Sequence, residues 1–164
     1  MTFCHLHKIS DRLIDLRGIS RFTSLEVLYF SDSEPYNIED IGELINLRII
    51  SVNLTSPIPS VEFIKNLNNL EHILFYGNNH FYPYGLPSAY TTEILESEAT
   101  QILDVSPLAS LKNSKSIFCR NFILKNISAL DALDVGTIDI MGSRLYDKTE
   151  KSKHYLLFRL EGDR

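Results

Sequence analysis

The chain of 164 residues is expected to form one α/β solenoid. Its parallel β-sheet should line a concave face, and its convex side should be mostly irregular or short-helical. Three observations predict this. Short apolar strand cores recur at nearly constant spacing, apolar residues lead into each core in steps of three, and a unit of about 22 residues leaves no room for a long helix.

The strand cores are Leu28-Tyr29-Phe30, Ile50-Ser51-Val52, Ile73-Leu74-Phe75, Ile117-Phe118-Cys119 and Ile138-Asp139-Ile140. Their first residues lie 22, 23, 44 and 21 positions apart. Because 44 is twice 22, a further unit is expected near residue 95, where Leu95-Glu96-Ser97 stands.

Counting back in threes gives Ile19, Phe22 and Leu25 before the first strand, Ile41, Leu44 and Leu47 before the second, and Ile64, Leu67 and Leu70 before the third. The fourth unit reads Leu86, Ala89 and Thr92, and the fifth Leu108, Leu111 and Ser114. With two positions from each strand, 22 of these 25 landmarks are hydrophobic in a chain that is 44% hydrophobic. Composition alone would place about 11, so the register is a property of the order of the residues. A sixth unit, with Leu130, Leu133, Val135, Ile138 and Ile140, is one residue shorter between its second and third landmarks.

This spacing resembles the leucine-rich repeat, L-x-x-L-x-L-x-x-N, in the short internalin-like form. The likeness covers roughly residues 19–143. The stretches Asn37 to Leu44, Asp104 to Leu108 and Asn126 to Leu130 are similar to that class's "N-x-I-x-D-I-x-P-L" segment. The resemblance implies a turn-holding side chain three residues after the second strand landmark. The equivalents here are Ser33, Thr55, Asn78, Thr100, Phe122 and Ser143, five of them polar. Only Asn78 is the family residue, and Phe122 departs entirely, so the array is a diverged one.

A single domain is expected, with residues 1–18 as an N-terminal cap, 19–143 as about six repeats and 144–164 as a C-terminal cap. The ends of a solenoid need covers because each unit touches only its neighbours. Phe3 to Leu16 reads as a short helix or strand outside the 22-residue register, and Tyr155 to Leu160 as a final strand. The polar run Asp147 to Lys153 reads as a solvated loop.

A net charge of −5 disfavours nucleic acid as a partner, whose phosphates reward Lys and Arg, and is compatible with a basic protein. The N-terminal residues lack an apolar stretch long enough for a signal peptide, and no run of about 18 apolar residues exists. The expectation is therefore a cytoplasmic protein, away from membranes and monomeric when free. Two distant cysteines, Cys4 and Cys119, do not form a disulfide framework.

Alternation along strands sends every second side chain to the concave surface. It places Val27, Tyr29 and Ser31 there, followed by Ile49, Ser51 and Asn53, then His72, Leu74 and Tyr76. Ile94, Glu96 and Glu98 follow, then Ser116, Phe118 and Arg120, and Thr137, Asp139 and Met141. Tyr29, Leu74, Tyr76, Phe118 and Met141 are more apolar surface than solvated strands usually carry, although β propensity favours such residues on any strand. Glu93, Glu96 and Glu98, with Asp139, would form an acidic patch able to steer a basic partner. The Pro- and Gly-containing stretch Asn78 to Tyr90, with Phe81, Tyr82 and Tyr84, reads as a loop. Its rings either fill the core beside the degenerate fourth unit or form a binding rim.

Chemical motifs are weak. Cys4-His5-Leu6-His7 has no common zinc spacing and no second cluster, so no metal or other cofactor is expected. No phosphate-binding glycine loop or nucleophile elbow occurs, and His72 on the concave face with His80 in the aromatic loop is a pair that rarely signifies catalysis. The function expected from the resemblance and the exposed face is non-enzymatic protein binding. Neutralisation of a cognate protein by an immunity-type inhibitor leads, with a regulatory or targeting subunit that positions a partner enzyme as the alternative.

Overall fold

Runs of i→i−3 backbone hydrogen bonds explain the three-residue period. The Leu44 amide donates to Ile41 and the Leu47 amide to Leu44, each at 2.9 Å. The Leu67 and Leu70 amides do the same to Ile64 and Leu67 at 3.0 Å. In a 3-10 turn, side chains three apart stack on one face, so every third residue can be apolar and buried. In the computed structural model, which describes residues 2–7, 14–31, 35–53, 60–77 and 101–152, these landmarks form the core. Ile41, Leu44, Leu47, Ile64, Leu67, Leu70, Leu108 and Leu111 are fully buried.

The 3-10 segments are Ile19–Arg21, Ile38–Glu43, Glu62–Asn66, Ser106–Ser110 and Ile127–Ala132. Each is followed by a strand of the main sheet. The strands in chain order are β1 (Phe3–His7), β2 (Ile14–Asp15), β3 (Val27–Ser31), β4 (Pro35–Tyr36), β5 (Ile49–Asn53), β6 (His72–Tyr76), β7 (Ile102–Asp104), β8 (Ser116–Arg120), β9 (Ile123–Lys125), β10 (Thr137–Asp139) and β11 (Arg144–Leu145). The main sheet is parallel with order β1-β3-β5-β6-β8-β10. A second small sheet, β11-β9-β7, and the pair β2-β4 form where the chain turns away from the main strands.

The main strands pair in the landmark register. Leu28 faces Ile50, Ile50 faces Ile73, Ile73 faces Ile117, and Ile117 faces Ile138. β5, β6 and β8 alternate buried and half-buried side chains along their length, as a sheet with one covered face requires.

The unit near Leu95 is corrected. His72 to Tyr76 pair directly with Ser116 to Arg120, so no strand stands between β6 and β8. The Asn113 side chain donates to the Asn68 carbonyl at 2.8 Å, and the Lys115 ammonium meets Glu71 at 2.7 Å across the same 44-residue step. The chain leaves the described residues at Gly77 and returns at Gln101, an excursion about one repeat long. An insertion of that length preserves the arithmetic of the period while placing no strand between β6 and β8. Gly77 itself continues the ladder, its amide donating to the Arg120 carbonyl at 3.0 Å. A Cβ there would lie 2.6 Å from the Asn121 carbonyl oxygen and 2.9 Å from the Phe122 ring, so only glycine fits.

The N-terminal segment is also more regular than its sequence implies. Phe3 pairs with Val27 and His7 with Ser31, making the strand an additional member of the array at a spacing of 24. The landmark Phe22, which follows the first 3-10 segment, is 64% exposed, unlike its buried equivalents Leu44, Leu67 and Leu111. Val27, assigned to the concave surface, is buried between its strand neighbours Phe3 and Ile49. Asp147 to Ser152 form turns and irregular chain, while Tyr155 to Leu160 lie outside the described residues. Among the described residues no helix is long and apolar enough to cross a membrane.

Candidate interaction surface

The strand register sorts the concave side chains into three rows. The first runs Phe3, Val27, Ile49, His72, Ser116, Thr137. The second runs His5, Tyr29, Ser51, Leu74, Phe118, Asp139. The third includes Asn53, Tyr76 and Arg120. Tyr29, Ser51, Asn53, His72, Leu74, Tyr76, Phe118, Arg120 and Asp139 thus share one face, all half-buried.

Its two ends differ in chemistry. At the β1 end Phe3, His5 and Tyr29 form a ring cluster, with Phe3 and His5 each 5.4–6.2 Å from the Tyr29 centroid. Phe3 is 54% exposed. At the β10 end Arg120 donates from Nη2 to Asp139 Oδ2, and its guanidinium carbon lies 5.4 Å over the Phe118 ring. Asp139 Oδ1 accepts the Met141 amide at 2.9 Å, which fixes the carboxylate. Burial works against charge on Arg120, but the bond and attraction to Asp139 outweigh it and raise its pKa. The Tyr76 hydroxyl is also raised, first by burial. In the first row His72 Nδ1 and Ser116 Oγ are 2.7 Å apart, so the imidazole is tied to the sheet.

The row expected for Glu96 and Glu98 between β6 and β8 has no place there, since those two strands are direct neighbours. Those residues, with Phe81, Tyr82 and Tyr84, lie outside the described residues. Cys4 and His5 occupy opposite faces of β1: Cys4 packs against the core, and His5 joins the aromatic cluster. Their side chains therefore do not converge.

Two features escape the sequence reading. Phe3 and His5 were placed in a cap, yet they extend the concave face. The second is a charge ladder on the residues that precede the main strands, Glu26, Arg48, Glu71 and Lys115. Arg48 meets Glu26 at 3.5 Å and Glu71 at 3.0 Å, and Lys115 meets Glu71 at 2.7 Å. Hydrogen bonds from Lys115 and Arg48 lower the Glu71 pKa. Beside it Asn46 donates to the Thr23 carbonyl and Asn69 to the Ile45 carbonyl, at 2.7 and 2.8 Å. Ser24, Glu26, Asn46, Arg48, Asn69 and Glu71 line an open groove of about 410 Å³ at the entry edge of the sheet. The signal was present: each charge directly follows the third landmark, and the signs alternate once the insertion is set aside.

A parallel sheet whose strands are joined through stacked three-residue turns, at a period of about 22, defines a leucine-rich repeat solenoid. Among solved structures the chain is similar to internalin C2 of Listeria monocytogenes, at 19% identity and a TM-score of 0.42, over 75% of this chain and 54% of that one. It is likewise similar to a second internalin of that organism, inlF, at 18% identity and a TM-score of 0.42, over 90% of this chain and 49% of the other. The chain therefore spans about half the length of these structures. No protein-family model matches it, and no curated protein sequence does.

Proposed function

We propose that this chain is a non-enzymatic module that binds one cognate protein on its concave sheet and neutralises it, as an immunity-type inhibitor does. The observation that carries the binding step is the cluster Tyr29, Leu74, Tyr76 and Phe118 on the solvent side of a sheet. Aromatic and Arg side chains in such clusters are the usual energetic anchors of an interface. The Arg120–Asp139 pair beside them is neutral as a unit and adds directional polar groups at the rim.

Size sets a further requirement. Six strands about 4.8 Å apart, each showing about five residues at ~3.3 Å, present roughly 400 Å² of flat face. A standard interface takes ~800 Å² from each partner. A tight partner is therefore expected to reach an edge as well, such as the ladder groove at Glu26, Arg48 and Glu71. A net charge of −5 favours encounter with a basic partner. Two free thiols, at Cys4 and Cys119, suit a reducing cytoplasmic setting.

The test is affinity purification with the wild type and with a Tyr29→Ala/Tyr76→Ala variant shown to be folded. The proposal expects a stoichiometric partner with the wild type and its loss with the variant. Assay of the captured protein then separates the two roles: its activity should be suppressed in the complex. An active, relocated enzyme would replace inhibition with the targeting role.

A further inference from the structure

The ladder on the entry edge of the sheet carries its charges in the order minus, plus, minus, plus, at Glu26, Arg48, Glu71 and Lys115. Successive members stand one strand apart, about 4.8 Å, so the row is about 14 Å long. Arg48 and Lys115 are exposed, and each cation can take a second carboxylate from outside the chain. A parallel row of polar side chains, Ser24, Asn46, Asn69 and Asn113, is exposed beside it. Asn46 and Asn69 each donate one N–H to the preceding repeat and line the groove. A side-chain amide has two N–H groups and an acceptor oxygen, so both keep a donor and an acceptor for a further contact.

Turned end to end, the row of charges reads plus, minus, plus, minus, which is its own complement. We infer that a second copy of this chain docks edge to edge on this ladder. The two-fold axis lies in the interface and crosses the row between Arg48 and Glu71. The rotation sets Glu26 against Lys115 of the other copy and Arg48 against Glu71 of the other copy, each pair occurring twice as an isologous contact requires. It also sets Asn46 against Asn69, where the remaining donor of one amide meets the oxygen of the other. A slip of one strand would put Arg48 against Arg48 and Glu26 against Glu71, and an unreversed copy would oppose like charges at every position. The order of charges therefore fixes both direction and register, which is what electrostatic complementarity contributes to an interface. The space between the two facing grooves is polar and is left to bridging water. The concave face stays open in this dimer, while a partner that reached over this edge would compete with the second copy. A dimer departs from the monomer expected of the sequence, in which the alternating signs cancel and their order is not seen.

Sedimentation velocity of the full chain, over concentrations up to the millimolar range at ~0.01 M salt, should show a reversible monomer–dimer equilibrium. The dimer should dissociate as salt rises toward ~1 M, where charges are screened beyond about 3 Å. Arg48→Glu and Glu71→Arg, each checked for fold by circular dichroism, should weaken self-association by about a hundredfold or more, because either one turns the two central opposite pairs into like pairs. Mixed in equal amounts, the two variants regain opposite charges at all four contacts, so a heterodimer should form with an affinity close to that of the wild type. A wild type that stays monomeric at low salt, a dimer indifferent to salt, variants that still self-associate, or a mixture that remains monomeric would overturn the inference.

Discussion

The Ser143 hydroxyl bridges two backbone groups of the preceding repeat, donating to the Cys119 carbonyl at 2.7 Å and accepting the Phe122 amide at 3.0 Å. Ser143 is fully buried. It holds the turn after β8, the task that the repeat resemblance assigns to an asparagine. One repeat earlier the equivalent position is Phe122, which is buried and packs beneath Gly77.

Ser143→Ala should destabilise the fold by about 1–3 kcal/mol, since a buried amide and a buried carbonyl both lose their partner. Urea denaturation of the two proteins measures this. A change below a few tenths of a kcal/mol would mean that the turn is held by other groups.

Residues 78–100 should be dispensable for the solenoid. β6 and β8 are already hydrogen-bonded to each other, and the Asn68–Asn113 and Glu71–Lys115 links cross the gap without them. Replacing the segment with a short turn should leave the circular dichroism of the sheet and a cooperative melt in place. Loss of cooperative unfolding would show that the excursion is part of the core.

The two thiols should react very differently. Burial pushes the Cys119 thiol up to about 12 and leaves it without solvent access. Cys4 is half-buried on the edge strand, with its pKa raised by burial as well. At pH 8 an aromatic disulfide reagent should titrate one thiol in the native protein and the second only on unfolding. Rapid reaction of both would contradict the packing of β8.

Asp15 ties the first described turn to the next repeat. Its carboxylate accepts the Arg17 side chain and backbone amide at 2.7 and 3.0 Å and the Asn37 side chain at 2.9 Å, which lowers its pKa to about 2. A lowered folded pKa contributes stability above the unfolded value of ~3.9, and that contribution is lost as pH falls toward 2. Asp15→Asn should therefore be less stable than the wild type at pH 6, with the difference shrinking between pH 4 and 2. A pH-independent difference in urea midpoints would assign the effect to something other than this carboxylate.

Much of the fold was legible because 3-10 turns stamp a three-residue period on the chain, and Ile41, Leu44 and Leu47 or Ile64, Leu67 and Leu70 display it directly. The half-buried concave residues followed from strand alternation once Leu28 and Phe30 were set inward. Leu95 misled because an insertion about one period long looks like a repeat when only spacing is counted. Phe3 to His7 was obscured by its spacing of 24 and its mixed composition, although its pairing with Val27 to Ser31 is regular. The Glu26, Arg48, Glu71 and Lys115 ladder was hidden because net charge sums what the fold lines up. Its order emerges only when residues 71 and 115 are recognised as neighbours.

Site-specific photocrosslinking tests the central claim most directly. A benzophenone side chain placed at Leu74 on the concave face, and separately at Ser128 on a 3-10 segment, should report which face meets the partner. The account predicts one covalent adduct, of the same protein that copurifies with the wild type, from position 74 and none from position 128. An adduct from position 128 with none from position 74 would contradict it.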